Sequence, residues 1–109
     1  MSGKKGFSER KSVNFEAINK QVLPALIPIL IRWLPDGMLE GHEYRARNPR
    51  RADRNIGSFS INTRTGRWAD FATGDKGGDV ISLAAYLFDK SQIDAARELA
   101  KMLGVQNEN

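Results

Sequence analysis

An α+β fold is predicted by three features of this 109-residue sequence. Apolar residues recur at helical spacing up to Leu34, alternate with polar ones from His42 to Phe71, and return to helical spacing after Asp79. The expected architecture is therefore a small three-stranded antiparallel sheet packed against N-terminal and C-terminal helices, in a single domain at residues 13–109. Residues 1–12, with Lys4, Lys5, Arg10 and Lys11 against Glu9, read as a flexible basic arm.

Asn14 is a candidate N-cap for a first helix whose inner face is Phe15, Ile18, Val22 and Leu23. Pro24 ends or kinks that helix and is suited to open a second one through Leu34. Pro35-Asp36-Gly37 is a turn. Strands are expected over residues 42–47, 58–63 and 67–71, with Thr63-Arg64-Thr65-Gly66 as the hairpin turn between the last two. Residues 48–57 carry no periodicity, and residues 72–78 read as a loop. Asp79 then caps a helix with a broad stripe of Val80, Ile81, Leu83, Ala84 and Leu87. Ser91 and Asp94 form a capping box for a last helix, and Gly104 is its natural stop.

The composition excludes several chemistries. With no cysteine and the single histidine His42, there is no disulfide framework, thiol nucleophile, iron–sulfur site or Cys/His zinc site. The most apolar run, residues 22–34, is shorter than the roughly 20 residues a bilayer span needs and contains Pro24, Pro28 and Arg32. The first residues lack the apolar stretch and cleavage site of a secretion signal, so the protein is read as cytoplasmic. Lys plus Arg number 17 against 13 acids, a net charge of +4. Residues 45–67 alone hold seven arginines (Arg45, Arg47, Arg50, Arg51, Arg54, Arg64, Arg67) against Asp53, a surplus of six. The basic charge is thus a local patch.

Alternation sorts the strand residues by face. Tyr44, Ala46, Phe59, Ile61 and Trp68, with His42 in phase, fall on a core side, and Trp33, Leu87 and Leu99 are expected to pack with them. The outer side presents Arg45, Arg47, Ser60, Asn62, Arg67 and Phe71. Arginine forks suit phosphates, and a flat ring or guanidinium plane suits an unstacked base. A strand face rich in arginine also serves simply to keep a sheet edge from pairing. The density of seven cations against one acid favours the polyanion site.

Order and spacing in Gly57-Ser58-Phe59-Ser60-Ile61, Gly66-Arg67-Trp68, Asp70-Phe71 and the run from Gly74 through Lys76-Gly77-Gly78-Asp79-Val80-Ile81-Ser82 are distinctive. This series resembles the CHC-type zinc-ribbon domain at the N-terminus of bacterial DnaG-type DNA primases, over residues 42–88. The departure is total at the metal: Asn48-Pro49 falls about where that family has its first Cys-Pro, and Asp70 or Phe71, with Gly74, stands at its second cysteine pair. The resemblance is therefore to a degenerate form lacking the zinc ligands, with no metal and no cofactor expected. It implies an outer sheet face and loops that meet single-stranded template DNA, which map onto Arg45, Arg47, Ser60, Arg67 and Lys76. Arg50, Arg51, Arg54 and Arg64 extend the basic patch, and Phe71 is placed to stack a base.

The sequence holds no polymerising, nuclease or ATPase motif, and His42 and Glu43, adjacent on a strand, point to opposite faces and make a poor dyad. The expectation is a non-catalytic DNA-binding module, accessory to replication or transfer of a mobile element, whose partner is a separate primase, helicase or relaxase. A protein-interaction or regulatory module on the same scaffold, without DNA binding, is the alternative.

Overall fold

In the computed structural model, residues 13–50 and 58–104 are described. The basic arm, Arg51 and Arg54 lie outside the described residues. The chain forms α1 (Phe15–Val22), a 3-10 turn (Leu23–Ala25), α2 (Leu26–Trp33), β1 (Met38–Glu40), β2 (Glu43–Ala46), β3 (Phe59–Asn62), β4 (Trp68–Asp70), β5 (Lys76–Gly77), α3 (Val80–Phe88) and α4 (Gln92–Leu103). The five strands make one antiparallel sheet in sequence order.

α1, α3 and α4 each start at a side-chain cap, whereas α2 follows the 3-10 turn without one. Asn14 Oδ1 accepts from Ala17 N–H at 3.0 Å, Asp79 and Ser82 form a reciprocal capping box, and Ser91 Oγ accepts from Asp94 N–H at 3.1 Å. Pro24 falls in the 3-10 turn that separates α1 from α2, where a missing N–H breaks no helical bond. α1 and α3 are tied across 62 residues of sequence by Asn19 Oδ1, which accepts from the otherwise unsatisfied Ile81 N–H at the start of α3, at 3.1 Å.

Among the described residues the sheet has five strands where the sequence predicts three. β1 was hidden because all three of its residues are exposed, so no burial alternation marks it. β5 is two residues, too short to show a period. It forms because the 70–75 loop folds back, with Asp70 N–H donating to Asp75 O at 2.8 Å, which brings Gly77 opposite Trp68. The three expected strands are each one residue shorter at both ends. His42 is the main correction at those ends. It is exposed in the β1–β2 turn rather than on the core side, and its carbonyl accepts from Thr63 N–H at 2.7 Å.

One face of the sheet and the helices share a single core. Tyr44, Ala46, Phe59, Ile61 and Trp68 are all buried, as alternation requires, together with Ile18, Leu26, Leu30, Ile81, Leu83 and Leu99. Trp33 and Leu87 are only partly buried, and Trp33 meets Phe88 edge-on at 5.2 Å. Tyr86 of α3 lies against Trp68 and Phe59, with ring centroids 4.7 and 6.1 Å away, so the inner face of the sheet is held by aromatic contacts. Trp68 also donates from Nε1 to Ser82 Oγ at 2.9 Å.

Candidate nucleic-acid interface

With the helices on the inner side, the outer side of the sheet is open. Strand register sets Met38, Arg45, Ser60, Ala69 and Lys76 side by side in one row across it. Glu40, Glu43 and Asn62 form the next row, with Arg67 beyond them, its carbonyl accepting from Asn62 N–H at 2.7 Å. Phe71, at the end of β4, donates its N–H to Ser58 O at 2.7 Å. Small side chains at Ser60 and Ala69, followed by Gly77 and Gly78, leave an open groove of about 740 Å³. Arg67, Phe71 and Lys76 line it, and Phe71 is 73% exposed.

Of the ten residues the sequence singles out, Ser60, Arg67, Phe71 and Lys76 thus meet in one groove, and Arg45 stands in the same row. Their availability differs. Arg67 and Lys76 are exposed and make no ion pair among the described residues. Arg45 Nε pairs with Glu40 Oε1 at 3.1 Å, and Arg47 with Asp36 at 4.0 Å. Such exposed pairs contribute about 0–1 kcal/mol, so a phosphate can displace the acid. Arg64 reaches His42 Nε2 at 3.4 Å from the β3–β4 turn. Arg50 turns to the helical side, its guanidinium over the Tyr86 ring at 5.6 Å and 3.9 Å from Asp89. Ser60 is buried and donates to Glu43 Oε1 at 2.5 Å, so its hydroxyl proton is committed within the protein.

Two groups of residues are absent from the candidate site residues read from the sequence, although alternation already places Asn62 on the outer face. The first is Glu43 and Asn62 in the groove: Asn62 Nδ2 donates to Glu43 Oε2 at 3.0 Å, while its Oδ1 accepts from the Arg64 and Thr65 amides at 2.9 and 3.0 Å. The second is a buried polar network on the inner side. Asn48 Nδ2 donates to Asp70 Oδ2 at 2.7 Å and to the Tyr86 hydroxyl at 2.8 Å. Tyr86 in turn donates to Asp75 Oδ2 at 2.7 Å, and Asp70 Oδ1 accepts from Ala72 N–H at 2.8 Å. Burial pushes the Tyr86 hydroxyl above its ordinary pKa; the bond from Asn48 works against this, and the charges of Asp75 and Asp70 add to it. A sequence signal for the network existed. Asp70 is in phase with Trp68, so it had to face the core, and a carboxylate there must find donors.

The fold is that of a primase zinc-binding-like α+β module. The crystal structure of the Aquifex aeolicus primase, comprising zinc-binding and RNA polymerase domains, matches with a TM-score of 0.68 and 24% identity, over 87% of this chain and 22% of that one. At that identity the likeness is one of fold. No protein-family model and no curated protein matches the sequence.

Zinc does not fit the residues present. Asn48 and Asp70, which the resemblance sets at cysteine positions, offer an amide and a carboxylate already bound to each other, in a chain without thiolates. Among the described residues no three His, Cys, Asp or Glu side chains are gathered to hold a metal. Also among the described residues, no helix is long and apolar enough to cross a membrane.

Proposed function

We propose that this chain is a non-catalytic, zinc-free module that binds single-stranded DNA on its outer sheet face and serves a separate primase, helicase or relaxase of a mobile element. The observation that carries the reading is the groove itself: Arg67 and Lys76, unpaired among the described residues, flank small-residue floor positions beside the exposed ring of Phe71. Cations that track a backbone, together with an aromatic platform, are what single strands bind to. Arg45 and Arg47 extend the cationic surface once their acids are displaced. The primase-like fold supports the substrate class, and the network around Asn48 supports a zinc-free state by joining the same loops without a metal.

Fluorescence anisotropy with single- and double-stranded oligonucleotides across a salt series tests the proposal. About four phosphate contacts on a single strand give a log–log salt slope near −3. Absence of binding at about 50 mM salt overturns it.

A further inference from the structure

A carboxylate on the β2 side of a groove whose cations are Arg67 and Lys76 works against phosphate, and this one is held rigidly. Both Glu43 oxygens accept a bond, one from Ser60 Oγ at 2.5 Å and one from Asn62 Nδ2 at 3.0 Å. Asn62 is itself fixed by the two turn amides bound to its Oδ1, which settles which end of its amide faces Glu43. Each carboxylate oxygen keeps a further lone pair, and Glu43 lines the same groove as Phe71.

We infer that Glu43 reads the edge of a base. The inference rests on the single-strand reading above and adds to it a preference among bases. A base laid on Phe71 brings its edge into the groove that Glu43 lines. Cytosine and adenine present an exocyclic amino group there, and guanine presents two parallel N–H donors. Thymine presents one N–H between two carbonyl oxygens, which a carboxylate repels. Glu43 therefore selects amino-bearing bases over thymine, while Arg67 and Lys76 hold the backbone without regard to sequence.

Anisotropy titrations with labelled oligo(dC) and oligo(dT) of equal length, at one salt concentration, measure this directly. The wild-type protein is expected to bind oligo(dC) about tenfold more tightly than oligo(dT). In Glu43→Gln, whose amide also donates to a thymine carbonyl, the ratio falls to about threefold or less. Equal wild-type affinities for the two strands overturn the inference and leave single-strand binding intact. A Glu43→Gln variant that changes both affinities by the same factor also overturns it, showing a purely electrostatic effect of the charge. If neither strand binds, the single-strand reading fails and this inference fails with it. The wild-type comparison needs no variant, so a folding defect in Glu43→Gln, checked by circular dichroism, does not blunt the test.

Discussion

Replacing Asn48 by alanine removes the hub of the buried network. Among the described residues three bonds are lost: Nδ2 to Asp70 Oδ2, Nδ2 to the Tyr86 hydroxyl, and Oδ1 from Arg50 N–H, at 2.7, 2.8 and 2.8 Å. The first is charge-assisted and ends on a carboxylate with no exposed surface, so it dominates, at about 2 kcal/mol. The neutral pair adds roughly 1 kcal/mol once water enters the space left by the side chain. A total near 3 kcal/mol is a large part of the stability of an ordinary domain, about 5–15 kcal/mol. At about 4 °C per kcal/mol for a chain of this size, Tm falls by roughly 12 °C. Thermal unfolding followed by circular dichroism, with and without a chelator, measures both halves of the argument. The chelator leaves the wild-type curve unmoved. A loss below about 1 kcal/mol in Asn48→Ala, or a wild-type Tm that drops with chelator, refutes the view that this network joins the loops in place of a metal. Asn48→Asp gives the sign: it sets a second carboxylate against Asp70, raising the pair's folded pKa, so relative to wild type it loses stability as pH rises and regains it in acid.

The tyrosines set a limit at the other end of the pH scale. Burial raises the folded pKa of both Tyr44 and Tyr86 above 10.0, so the unfolded chain ionises first and stability is full below pH 10.0 and falls above it. In Tyr86→Phe the ring contacts remain, neutral-pH stability drops by about 1 kcal/mol, and the alkaline slope is shallower, as urea titrations at two pH values would show. Gly77→Ala drives a methyl into Trp68 Nε1 and Ser82 Oγ, breaking the bond between them. A loss of about 1–3 kcal/mol is expected in the same assay. Arg67→Ala weakens binding of every single strand alike and reduces the salt slope by about 0.7, with Tm unchanged.

Most of the fold was legible because it rests on local grammar. Asn14, Asp79, Ser91 and Gly104 act as caps where the sequence sets them, and the alternation in β2, β3 and β4 put the right side chains in the core. What was missed was missed for want of a periodic signal: β1 is exposed at every residue, and β5 is held by loop hydrogen bonds rather than by its two side chains. The site was half legible. Arg67, Phe71 and Lys76 share a groove because period two put Arg67 and Phe71 on one face, and the return of the chain at Asp75 brings Lys76 beside Ala69. Of the polar network only the core phase of Asp70 was legible; its partnership was not, because the residues joined are 22 and 38 positions apart and meet only in the closed fold.

Charge in the sequence and charge at a surface are different quantities. The surplus of six positive charges over residues 45–67 reads as one local arginine patch. In the folded chain Arg45 and Arg47 meet Glu40 and Asp36, acids from the segment before, and Arg50 meets Asp89, an acid from the segment after. Among the described residues this leaves Arg64 and Arg67 of the segment without an acid, and Arg67 joins Lys76 on the β4–β5 side, where the groove opens. The same folding sets Glu43, through the pairing of β2 with β3, across the groove from those cations, with Asn62 between it and Arg67. On the proposed reading, a strand crossing this face meets cations on the β4–β5 side of the groove and a hydrogen-bond acceptor on the β2 side. That order would favour a backbone held on the β4–β5 side with its bases turned toward β2 over a duplex, whose phosphates would face the carboxylate and whose base edges are already paired.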